Sequence, residues 1–161
     1  MKYILVLMML FSTNLTHAEI LGHEYPLAPI PQLTPGELCS YPTEYRYQEN
    51  IPYCERDVAY ELKEQVFNEY RRAGFVIPAN ERSNYKIDHF IPLCAGGANT
   101  FENLWPQHKT IYEITDSLEV LACEKLKQGK ITQRNVVALI KKAKMNLSQV
   151  RSVRDQLARL R

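Results

Sequence analysis

The chain has 161 residues, 45% of them apolar and 24% charged, which suits one domain around one buried core. Its net charge of +2 says little as a total and more by position. Residues 19–123 hold 8 Lys/Arg against 16 Asp/Glu, whereas residues 124–161 hold 11 against 2. That asymmetry fits either a polyanion-facing end or an ordinary solvated helical surface.

At the start, Lys2 precedes an unbroken apolar run from Ile4 to Phe11, and Thr16-His17-Ala18 places small residues where a signal peptidase reads. This predicts a secretory signal peptide over residues 1–18, cut before Glu19. The run is about half of the ~20 apolar residues a membrane span needs, no cysteine follows it to carry a lipid, and no later segment is apolar enough to span. Export changes how the four cysteines read. In an oxidising compartment they predict disulfides, and the local pairs Cys39–Cys54 and Cys94–Cys123 are expected; a four-cysteine zinc site is disfavoured because no C-x2–4-C spacing occurs.

Residues 19–36 carry Pro26, Pro29, Pro31 and Pro35 without periodicity and read as an extended lead-in to a domain over 37–146. Residues 37–53 interleave Tyr41, Tyr45, Tyr47 and Tyr53 around Cys39 with little regular pattern. Such tyrosines are able to stack on bases, but packing of an irregular lobe beside a disulfide is the expectation.

From Asp57 to Ala73, Val58, Leu62, Val66 and Tyr70 recur every fourth residue, predicting an amphipathic helix ended by Gly74. Phe75-Val76-Ile77 predicts a short strand stopped by Pro78. Further on, Ile111, Ile114, Leu118, Leu121 and Leu126 predict a helix over 110–128 ended by Gly129. Thr132 is expected to cap a helix reaching Met145, and Val150, Val153, Leu157 and Leu160 predict a basic C-terminal helix within 147–161.

The chemistry is concentrated in residues 85–107. Asp88 and His89 close an apolar strand, Gly96-Gly97 allows a tight excursion, and Asn103-Leu104-Trp105-Pro106 brings the chain back. Phosphodiester hydrolysis needs a base for water and a cation for the phosphate. Histidine suits the first task, and a carboxylate holding a hard divalent ion suits the second. Asn103 supplies an amide able to tie the loop. Neighbours in a strand point to opposite faces, so Asp88 and His89 share a cleft only if the strand end twists.

The run Asp88-His89-x-Ile91-Pro92-Leu93-x-x-Gly96-Gly97-x-Asn99-x-x-x-Asn103-Leu104-Trp105-Pro106-Gln107 resembles the HNH endonucleases of the ββα-metal (His-Me finger) superfamily, in the subgroup whose second strand reads Asn-Leu-Trp-Pro. The resemblance covers residues 85–125 well and its flanks loosely. It implies an α+β fold with a strand–loop–strand–helix core at about 84–127, and metal-dependent cleavage of DNA, with RNA as an alternative substrate. It assigns His89 as general base, Asp88 as metal ligand and Asn103 as positioner of the histidine loop. The third ligand position does not align: Tyr112 stands there, and Asp116, His108 and Glu113 remain as ligands to consider. One divalent ion is expected, Mg2+ first, with Mn2+, Ca2+, Zn2+ or Ni2+ as alternatives. Lys125, Lys127, Lys130, Lys141, Lys142 and Lys144 are expected to hold nucleic acid backbone, and the protein to act as a monomer. The competing readings are an exported nucleic-acid-binding module without catalysis and a disulfide-stapled interaction domain or effector.

Overall fold

The structure, a computed structural model, describes residues 25–161; the expected signal peptide and residues 19–24 of the lead-in lie outside the described residues. The fold is α+β, two small antiparallel sheets with flanking helices.

Strands β1 (Glu44–Arg46) and β2 (Ile51–Tyr53) pair antiparallel, in a segment whose sequence shows no strand pattern. Three residues per strand is too short for alternation to register, and the turn between them needs positive φ at Tyr47 and Asn50. The tyrosines expected to pack this lobe divide. Tyr41 and Tyr45 are 92% and 65% exposed, while Tyr47 packs partly on the core and the Tyr53 ring lies under the Arg46 guanidinium.

Helix α1 (Tyr60–Arg72) starts three residues later than its periodicity predicts and buries Val66, Phe67 and Tyr70. The strand expected at Phe75-Val76-Ile77 does not form. Phe75 and Ile77 reach the core from irregular backbone, because burial of their side chains needs no strand partner. Over residues 25–36 the extended lead-in is packed against the domain. Tyr25, Leu27, Ile30 and Leu33 pack on the core, and buried Thr34 bonds both the Tyr70 hydroxyl (2.9 Å) and the Leu104 carbonyl (2.9 Å).

The centre is the hairpin of β3 (Tyr85–His89) and β4 (Leu104–His108), in register Asp88 opposite Trp105 and His89 opposite Leu104. Directly paired residues share a face. Lys86, Asp88, Trp105 and Gln107 therefore lie on one face of the hairpin, and Tyr85, Ile87, His89, Leu104 and His108 on the other. Helix α2 (Lys109–Lys127) follows immediately, completing the strand–loop–strand–helix unit. Helix α3 (Gln133–Met145) is capped by Thr132, whose side chain accepts from the Asn135 N–H as its sequence predicts. Helix α4 (Val150–Ala158) buries Val150, Val153 and Leu157 against α2 and α3. At about 1.5–3 kcal/mol for each buried aliphatic side chain, this helix is part of the domain and not an appended tail.

Both expected disulfides are present, Cys39–Cys54 and Cys94–Cys123. In the chain-entropy account, closing loops with sequence separations of 15 and 29 residues stabilises the fold by about 3 kcal/mol or somewhat more each. Two disulfides fit an oxidising compartment. Among the described residues, no helix is long and apolar enough to cross a membrane.

Candidate active site

The loop between β3 and β4 is built around the Asn103 side chain. Its Oδ1 accepts from the Ile91 N–H (2.8 Å), and its Nδ2 donates to the carbonyls of Ile91 (3.0 Å) and Ala98 (2.9 Å). All of these groups are buried, so one amide satisfies three backbone groups that water does not reach. The fit is close. A Cβ on Gly97 would lie 1.8 Å from the Ile91 oxygen, and Gly96 takes a φ of +80°. Gly97 is required for close approach, Gly96 for left-handed backbone.

His89 is 3% exposed, and its Nε2 lies 2.9 Å from Asn99 Oδ1. The Asn99 Nδ2 donates to the Glu55 carbonyl (2.6 Å), which fixes the amide with its oxygen towards the imidazole. An oxygen only accepts, so Nε2 carries the proton and Nδ1 keeps the free lone pair. Burial lowers the imidazole to about 4; the Asn99 hydrogen bond and the Asp88 charge work against this, and the Arg56 and Lys144 charges add to it. His89 is therefore neutral at neutral pH.

Asp88 occupies a different environment. Its Oδ2 accepts from Lys144 Nζ at 2.7 Å, and Lys86 Nζ lies 3.4 Å from its Oδ1. Lys86 also bonds Asp116 Oδ1 at 2.6 Å, bridging the two carboxylates. Lys144 Nζ further donates to the His89 carbonyl (2.5 Å) and lies 2.5 Å from Glu119 Oε1, an ion pair without hydrogen-bond alignment. Burial alone would raise Asp88, but the charges of Lys144 and Lys86 outweigh it and hold the carboxyl below its ordinary range. Glu119 is pushed the other way, to about 7, because burial and the Asp88 charge outweigh its share of Lys144. Lys144 loses charge stability to burial and regains more from Asp88 and Glu119, so its ammonium is held well above the ordinary range.

A cleft of about 520 Å³ opens over this network, lined by Arg56, Lys86, Asp88, Asp116, Glu119 and Lys127 among others. The strand end does not bring His89 into that wall: Asp88 and His89 keep the opposite faces that strand geometry dictates. Arg56 is common to both sides, since it lines the cleft, donates to the Ile87 carbonyl (3.1 Å) and lowers His89 through its charge.

No protein-family model, curated protein or solved structure matches this chain.

The structure therefore brings Asp88 and Asp116 together, and it does not bring His108. That residue stands opposite Tyr85, three positions and about 10 Å along the hairpin from Asp88. Its ring stacks on Tyr25, and its Nδ1 lies 2.9 Å from Thr110 Oγ1 at the start of α2. Glu113 is exposed and likewise away from the cleft walls. Among the lysines expected on nucleic acid, Lys144 is a correction: it is 1% exposed and spends its charge inside the protein. Lys125 bonds the Leu160 carbonyl and Lys141 the Pro35 carbonyl, whereas Lys127, Lys130 and Lys142 are exposed.

Asn99, Glu119, Lys86, Arg56 and the inward Lys144 were not singled out by the sequence for the places they take. One signal existed for Lys144. It continues the buried stripe Val136–Ile140 at the next i+4 position, where a lysine is admitted only with partners.

A divalent cation at Asp88 can be judged from the donor set. Lys86 is one-third exposed and holds its ammonium between Asp88 and Asp116, a cation already standing between two carboxylates. Hard ions such as Mg2+ bind through one or two carboxylates, with waters and substrate phosphate completing the shell. The outer edge of Asp88 together with Asp116 fits that pattern if Lys86 swings aside. Among the described residues no cluster of three or more His, Cys, Asp or Glu is arranged to hold an ion.

Proposed function

We propose that this protein is an exported endonuclease that hydrolyses phosphodiester bonds in DNA, with RNA as the alternative substrate. The observation that carries the proposal is His89, a neutral histidine whose Nε2–H is fixed by an oriented Asn99, leaving Nδ1 to take a proton. In this reading Nδ1 deprotonates the attacking water. Asn103 and Gly97 hold the loop, and hence the His89–Asn99 pair, in place. Asp88 and Asp116 would hold the divalent ion, which when bound neutralises charge on the phosphate and the departing oxygen. Lys127, exposed at the cleft, and Arg56 would attract the backbone, with binding that weakens as salt rises.

A plasmid-nicking assay with EDTA, Mg2+ and Mn2+ lanes, on wild type and His89→Ala, tests this reading. Nicking by wild type with divalent ion, and nicking lower by about 10²–10⁴-fold in the variant, is the expected result. A variant that nicks as fast as the parent removes His89 from the chemistry.

One observation favours a second reading, a nucleic-acid-binding module without catalysis: His89 lies outside the walls of the cleft that Asp88 lines. That reading expects salt-sensitive retention of DNA, unchanged by EDTA, with the DNA recovered intact.

A further inference from the structure

Asp88 has two cation positions, and they differ in kind. The outer one holds Lys86, 33% exposed and attached through a flexible side chain. The inner one holds Lys144, 1% exposed, with three oxygens around one ammonium: Asp88 Oδ2 at 2.7 Å, Glu119 Oε1 at 2.5 Å and the His89 carbonyl at 2.5 Å. Two carboxylates and a backbone carbonyl form a ligand set that hard divalent cations use. They converge from β3 and α2, and the cation arrives on α3, more than fifty residues beyond β3. The ammonium donates to Asp88 and to the His89 carbonyl, and Glu119 adds its charge as an ion pair.

We propose that Lys144 is the resident cation of this site: its ammonium takes the inner position among Asp88, Glu119 and the His89 carbonyl where a divalent ion would otherwise sit, leaving only the outer position at Lys86 open to exchange. A tethered ammonium does not dissociate, so Asp88 and the backbone of His89 are held whatever the metal concentration outside. The cost is Lewis acidity, which an ammonium lacks and only an exchangeable ion at the outer position supplies. The functional meaning of this arrangement rests on the nuclease reading. Its test does not, because it reads metal and stability.

Manganese binding, followed as free Mn2+ by electron paramagnetic resonance, is measured for wild type and Lys144→Met alongside thermal unfolding. Wild type takes up no more than one equivalent, which Asp116→Asn removes. Lys144→Met unfolds at a lower temperature, gains one further equivalent and is restabilised by Mn2+ more than wild type. The triple variant Lys144→Met/Asp88→Asn/Glu119→Gln gains none. In wild type itself, the Lys144 ammonium keeps slow hydrogen exchange by ¹⁵N NMR throughout a Mg2+ titration. Absence of the additional equivalent in folded Lys144→Met overturns the proposal, as does fast exchange of the Lys144 ammonium in Mg2+, which marks its displacement. If Lys144→Met does not fold, the wild-type ammonium measurement decides alone.

Discussion

The two faces of the β3–β4 hairpin put adjacent residues under different physics. On the face of Asp88, charges set the structure: two lysines and three acids neutralise one another over a cleft. On the side of His89 and its loop, neutral hydrogen bonds do the work, through two asparagine amides whose orientations are each fixed by two or more partners. Charge networks are strong only while every member is present, because one loss leaves a buried charge uncompensated. Amide networks lose a bond at a time, and their value lies in direction. The lesson is that the histidine is positioned by geometry and the aspartate by electrostatics, and the two fail differently.

The largest expected effect is on activity. If His89 is the base, His89→Ala lowers nicking by about 10²–10⁴-fold. Circular dichroism and thermal unfolding should show the fold retained, which a plasmid assay on the same preparation then uses.

Next comes the charge network. Lys144→Met leaves Asp88 and Glu119 facing one another without their shared cation, and costs about 3–5 kcal/mol in urea unfolding. The triple variant that also neutralises both acids should recover most of this loss. Equal destabilisation of single and triple variants would mean that the lysine stem, not its charge, holds α3.

On the amide side, Asn103→Ala strips the Ile91 N–H and the Ile91 and Ala98 carbonyls of their partner, at about 1–3 kcal/mol for each group left dry. Gly97→Ala drives a methyl into the Ile91 oxygen, and the loop must move at a cost of about 3 kcal/mol. Both variants should lose nicking more than they lose stability, since the loop carries Asn99. Full nicking by either would show that the loop does not aim His89.

How much of this was legible in the sequence follows the same division. The helices of residues 109–145, the Thr132 cap and both disulfides follow from periodicity and local chemistry, and the structure has them. The strand–loop–strand–helix unit was legible because its signals lie within one continuous run. What escaped depends on distant partners. Three-residue strands leave no pattern, and Thr34 gains its meaning only from Tyr70 and Leu104. Lys144 resembled any lysine at a helix end until Asp88 was placed beside it. His108 misled for the opposite reason: proximity in sequence suggested a ligand, whereas the strand register carries it to the far end of the hairpin.

The smallest expected effect concerns pH, and it separates the two faces by sign. His89 is lowered to about 4 in the fold, so below its ordinary range the unfolded chain binds the proton first. It contributes stability that is present above about 6.5 and lost as pH falls towards 4. Glu119 is raised to about 7, so over the interval from its ordinary 4.5 the native state binds more protons. Its contribution therefore falls as pH rises through that interval. The two slopes oppose one another between about pH 5 and about pH 7, and His108, also lowered by burial, adds to the rising one. Glu119→Gln removes the falling slope, so this variant should gain stability over the same interval, on the order of 1 kcal/mol relative to wild type. Urea midpoints at the two pH values measure it. Parallel profiles for variant and wild type would show that Glu119 titrates as an ordinary carboxylate and that Lys144 serves Asp88 alone.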